Sequence, residues 1–122
     1  MTALDTDTAR LLSVVHEAAL EKLAKEPAAL DLRGLTGMTD ALYVCHADSG
    51  RALDAISENV LEKLRAVGEK AIHVEGLGGQ QWVLIDLGSL MVHVFLGDRR
   101  EFYALEKLWA DAESIALPED AA

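Results

Sequence analysis

Several side chains in this sequence are of types that do chemistry, so their spacing is the first test. Four histidines, His16, His46, His73 and His93, are spread along the chain, and none pairs with another at the i, i+4 spacing of a helical metal site. His46-Ala47-Asp48-Ser49 brings three triad residue types together where an extended run meets a helix, a place where α/β sheets often bind ligands. Near-consecutive residues cannot adopt triad geometry, however, and the strand–turn–helix nucleophile motif Gly-x-Ser-x-Gly is absent. Cys45 is the only cysteine, which excludes an internal disulfide and any zinc site built on cysteines. It lies in an apolar run without a neighbouring cation, the setting of an inert core thiol. Asp40 and Asp86 fall at strand ends, but no Asp-x-Asp pair lies on a strand to hold magnesium. Gly76-Leu77-Gly78-Gly79 superficially suggests a phosphate loop. A strand follows it rather than a helix, so it lacks the helix N-terminus that would receive an anion, and a hairpin loop is expected. These patterns favour neither a metal nor a cofactor, and they favour binding over catalysis.

Charge narrows the choice of partner. The 122 residues include 21 acidic and 11 basic side chains, a formal net charge of -10. Such a balance opposes direct DNA or RNA binding, which needs a basic patch to displace counterions, and suits a basic protein partner. The N-terminal sequence has neither the positive start nor the apolar run of a signal peptide, and the nearly apolar stretch 87–96 is too short to span a membrane. A cytoplasmic protein is expected, folded as one domain over residues 1–122 with its core at about 7–113 and a frayed tail at 114–122.

The elements that would position these residues follow from periodicity. Leu11, Val15, Ala18, Ala19 and Leu23 recur at helical spacing from a cap near Asp5 to Thr8, with Pro27 as the expected stop. Short strands are expected at 29–32 and 41–46. A second helix opens at Ser49, carries the stripe Leu53, Ile56, Val60, Leu64 and Val67, and closes at Gly68. Strands at 71–75, 81–86 and 90–95 follow, and Asp98 with Glu101 resembles a capping box opening a last helix to about 112. The order α-β-β-α-β-β-β-α gives an α/β (α+β-like) fold with a mixed five-stranded sheet. The strand–helix–strand unit 41–75 is expected to form a parallel pair, and the short turns antiparallel ones.

Alternation along the last two strands is the most informative pattern. Val83, Ile85, Val92 and Val94 share one face, suited to packing beneath the first two helices, while Trp82, Leu84, Met91, His93 and Phe95 share the other. A limited supply of helices would leave Trp82, Leu84 and Met91 as an apolar patch rimmed by Glu75 and Asp86, the composition of a protein–protein contact. The competing expectation is that Trp82 packs under Phe102, Leu105 and Trp109 of the last helix.

The run Trp82-Val83-Leu84-Ile85-Asp86, then Val92-His93-Val94-Phe95, then the stretch from Arg100 to Trp109, resembles the Iojap-related ribosomal silencing factors (RsfS). Asp31-Leu32-Arg33, Met38-Thr39-Asp40 and Ser49-Gly50-Arg51 fit the first half of that family. The resemblance implies a mixed-sheet protein of nucleotidyltransferase-like shape without that activity. It implies a translation repressor that binds ribosomal protein L14 (uL14) on the large subunit and sterically blocks joining of the small subunit, with self-association into a homodimer as a family trait. Partner-binding residues are then expected at Trp82, Leu84, Met91 and His93, with Glu75 and Asp86 at the rim and Tyr103, Glu106 and Trp109 on the last helix. The alternatives are a nucleotide-binding or nucleotidyltransferase-like enzyme and a homodimeric scaffold without ribosome contact.

Overall fold

A computed structural model describes residues 4–35, 37–97 and 110–117. Two helices, α1 (Thr6–Glu21) and α2 (Gly50–Ala66), lie against a mixed sheet of six strands: β1 (Lys25–Asp31), β2 (Ala41–Ala47), β3 (His73–Glu75), β4 (Trp82–Asp86), β5 (Leu90–Leu96) and β6 (Glu113–Ser114). Their spatial order is β3-β4-β5-β2-β1-β6.

Both helix starts follow the expected cap chemistry. The Asp5 carboxylate accepts from the Thr8 backbone N–H at 2.8 Å, and the Ser49 hydroxyl accepts from Ala52 at 3.1 Å. Helix α2 closes at Gly68, in the left-handed region at φ 81, with Glu69 N–H bonded back to the Leu64 carbonyl. Helix α1 ends differently from the expectation at Pro27. It stops at Glu21, because Leu23 turns left-handed (φ 65) and Ala24 N–H returns to the Ala19 carbonyl. Pro27 instead sits inside β1, where the β1–β2 register shifts between Lys25 and Ala28. A bulge tolerates a residue that has no N–H to give the ladder.

The sheet corrects two further expectations. Strand β2 pairs in parallel with β5, Ala41 opposite Leu90 through Ala47 opposite Leu96, and not with β3. The β3–β4–β5 meander folds back so that its last strand lies beside β2 and β3 becomes an edge. Among the described residues there are six strands rather than five, because Glu113 and Ser114 pair antiparallel with Asp31 and Leu30. Residues 114–117, expected to fray, are held: Ile115 N–H bonds the Ala29 carbonyl, and Ile115 and Leu117 pack against the main core. The helix expected at 98–112 falls mostly outside the described residues, and Ala110 and Asp111 form a turn.

Val83, Ile85, Val92 and Val94 are fully buried with Leu11, Val15, Leu53, Ile56, Val60 and Leu64 in the core between helices and sheet. Of the two helical stripes, only the terminal members Leu23 and Val67 remain exposed. Cys45 is buried there, and the loss of hydration pushes its thiol up to about 12, so it stays an unreactive thiol at neutral pH. Tyr43 is also fully buried, and its hydroxyl shares a 2.9 Å hydrogen bond with His16 Nδ1. Asn59 of α2 ties the helices together by donating to the Ala18 carbonyl and to Glu21 Oε1, both at 2.8 Å.

Candidate functional site: the Trp82 face of the sheet

The second face of the sheet carries the residues singled out by alternation. Register sets their neighbours: Trp82 lies opposite Phe95, Leu84 opposite His93, and Asp86 opposite Met91. Strand β3 adds Glu75 opposite Leu84 and His73 opposite Asp86. On the other side of β5, Leu42 and Val44 lie beside Met91 and His93 and form a second apolar cluster with Leu30, Leu32 and Phe95.

Burial divides this face. Phe95, His93, Val44 and Leu42 are buried, Leu84 and Met91 are half-buried, and Trp82 is 45% exposed. An indole left this open on a sheet face is unusual for a small domain, because aromatic area is worth more under cover. Tyr103, Glu106 and Trp109, expected to flank the patch, lie outside the described residues, as do Phe102 and Leu105.

The indole is held from beneath. Its ring stacks on Phe95, with centroids 5.4 Å apart and planes 20° off parallel, and on His93 at 5.7 Å and 25°. Trp82 Nε1–H donates to His93 Nδ1 at 3.0 Å. Indole can only donate, so Nδ1 must carry a lone pair and the imidazole must be neutral with its proton on Nε2. Burial acts in the same direction, lowering His93 to about 4. His93 therefore contributes little surface and fixes the ring above it. Phe95 was not among the expected site residues. Its signal in the sequence was the hairpin register, which places it directly opposite Trp82.

The acidic rim is present. Glu75 is exposed and bonded to His73 Nε2 at 2.6 Å, while Asp86 is half-buried and one of its oxygens accepts from Gly88 N–H at 2.8 Å, closing the β4–β5 turn. The glycine-rich run is the β3–β4 hairpin loop expected of it, with Gly79 N–H bonded to the Gly76 carbonyl. Gly76 has φ 82, and a Cβ there would overlap the Trp82 carbonyl oxygen. Gly76→Ala is therefore expected to combine left-handed strain with a backbone collision and to cost about 2 kcal/mol or more. A urea titration checks this: an unchanged midpoint would show that the hairpin accommodates the methyl group.

Among the described residues, no cluster of three or more His, Cys, Asp or Glu side chains is placed to hold a metal ion, and no helix is long and apolar enough to cross a membrane.

A family profile described as "Ribosomal silencing factor during starvation" matches residues 5–122. The chain belongs to the ribosomal silencing factor (RsfS) family. A protein named ribosomal silencing factor RsfS from Halalkalibacterium halodurans is 36% identical over 107 residues, covering 88% of this chain and 92% of that protein. The protein Iojap of maize chloroplasts is 36% identical over 107 residues, which cover 85% of this chain and 45% of the longer plant protein. A crystal structure of a Bacillus halodurans protein, 34% identical, superposes with a TM-score of 0.80 over 88% of this chain and 98% of its own. Membership of the RsfS family makes this chain a ribosomal silencing factor, in a group named for regulation rather than for catalysis.

Proposed function

We propose that this ribosomal silencing factor represses translation by binding ribosomal protein L14 (uL14) on the large subunit and occupying the surface that the small subunit needs for joining. The observation that carries this reading is the half-exposed Trp82, braced by His93 and Phe95 on an apolar face. Trp82 is the anchor, Leu84 and Met91 extend the apolar contact, and Glu75 and Asp86 meet basic side chains at its rim. His93 acts from below by fixing the indole. Tyr103, Glu106 and Trp109 complete the face in this proposal. A net charge of -10 favours approach to a basic ribosomal protein and disfavours bare rRNA or DNA, so specificity is carried by protein contacts. The function is steric: a domain of nucleotidyltransferase-like shape serves as a wedge, needs no cofactor, and acts in the cytoplasm where subunits join. A second copy of the chain would compete for the same face, so a homodimer is the stored form.

Fractionation of a lysate on a sucrose gradient tests this directly. The protein is expected to travel with the large-subunit peak, and adding it to purified subunits is expected to reduce the joined ribosome peak. Migration only at the top of the gradient, with joining unaffected, would overturn the proposal.

A further inference from the structure

On the opposite side of the sheet from Trp82, the C-terminal end of α2 and the edge strand β3 leave a groove of about 550 Å³, within the size range of ligand-binding clefts. Its apolar floor is formed by Leu61, Leu64, Ala71 and Val74, and Arg65 and Lys70 stand at its margin. Two more large apolar side chains are exposed at this edge, Val67 at 45% and Ile72 at 71%. Among the described residues no strand pairs with the outer side of β3, so its backbone polar groups face outward beside the groove.

Two basic side chains stand together at this edge. Among the described residues, four of the six other Lys and Arg side chains are matched, Arg10 with Asp7 and Glu69, Lys25 with Asp48, Arg33 with Asp31, and Lys63 with Glu21, and Lys22 and Arg51 are not. Arg65 and Lys70 are exposed and form no ion pair among the described residues. The remaining carboxylate at the groove, Glu69, is taken by Arg10. A chain of strongly negative net charge thus keeps a local positive margin around an apolar floor.

We propose that this groove and the β3 edge bind a short extended peptide in which apolar residues alternate with Asp or Glu. The peptide adds a strand to β3, its apolar side chains enter the groove beneath α2, and its carboxylates meet Arg65 and Lys70. Strand addition of this kind draws affinity from main-chain hydrogen bonds and specificity from alternate side-chain pockets. An RNA segment would satisfy the charges but would leave both the apolar floor and the strand edge unused. The groove lies on the opposite side of the sheet from Trp82, and of the Trp82-face residues only the rim residue Glu75 also lies on β3, so a second partner can be held while the indole is covered.

The test uses the full chain and a heptapeptide alternating glutamate and valine, followed by amide chemical shifts and fluorescence anisotropy. Saturable shifts in residues 70–75 are expected. Binding should weaken roughly tenfold when lysine replaces glutamate in the peptide, when alternate peptide amides are N-methylated, or in the double variant Arg65→Glu, Lys70→Glu. Trp82→Ala should bind the peptide normally, and the double charge variant should still travel with large subunits, which keeps this proposal separable from the one above. No binding at millimolar peptide, indifference to charge reversal or N-methylation, shifts confined to the Trp82 face, or a uridine oligonucleotide moving residues 70–75 where the peptide does not, would each overturn it.

Discussion

Replacing Trp82 with alanine is expected to weaken cosedimentation with isolated large subunits by about 30-fold, equivalent to about 2 kcal/mol, while the protein remains folded. The two effects separate because of how the indole is placed. It is 45% exposed, so its truncation removes the proposed anchor from the surface and only part of a core contact. The loss to the fold is one hydrogen bond to His93 and the stacking on His93 and Phe95, about 2 kcal/mol together. A single cooperative urea transition with a modestly lowered midpoint, alongside lost binding, is the expected pair of results. Trp82→Phe keeps the stacked ring and should recover much of the affinity. Undiminished binding by Trp82→Ala would remove this face from the contact, and collapse of the fold would make the residue a core element.

The second large effect is on pH. His93 titrates near 4 in the folded protein because burial disfavours its charged form, against about 6.5 for an ordinary histidine. Above the ordinary value both states hold it neutral, and its contribution to stability is fully present. As pH falls below about 6.5 the unfolded chain takes up the proton and the native state does not. Stability therefore declines until the folded group also protonates near 4, by about 3 kcal/mol in all. Protonation of Nδ1 would also remove the lone pair that receives the Trp82 N–H. The check is a series of urea titrations between pH 7.5 and 4.5 on the parent and on His93→Gln, whose amide oxygen can still accept from the indole. The parent should lose stability steeply across this window and the variant more gently. Parallel slopes would show that His93 is not the titrating group. Asp5 and Asp31, held below the usual carboxylate range by bonds from Thr8 and from Arg33, add their losses at lower pH and do not blur this comparison.

The sequence carried most of the elements but not their full arrangement. Helix caps at Asp5 and Ser49, the left-handed stop at Gly68 and the Gly76 hairpin were legible because each depends on local backbone chemistry. The early end of α1 was not, since it rests on Leu23 in a conformation that leucine seldom adopts. Pro27 misled for a related reason: a residue that usually interrupts structure sits at a bulge that has no use for its N–H. The place of β3 is a long-range outcome. A strand–helix–strand unit predicts parallel direction but not adjacency, and β5 reaches β2 first through the meander. At the candidate site, alternation named the residues that share the Trp82 face. It could not say that His93 lies underneath the indole, because that depends on which side chain of the face the rest of the fold covers.

The pairing of β2 with β5 also governs how the molecule comes into being. Its two central strands are contributed by stretches about two-fifths of the chain apart, with α2, β3 and β4 between them. Loop closure must be completed before this contact rewards it, so assembly is expected to be slower than for a helical bundle of similar length. During synthesis the helices can form and touch early, but the middle of the sheet cannot close until residue 96 has left the exit tunnel. The Trp82 face of this chain is therefore completed only late, after β5 has emerged.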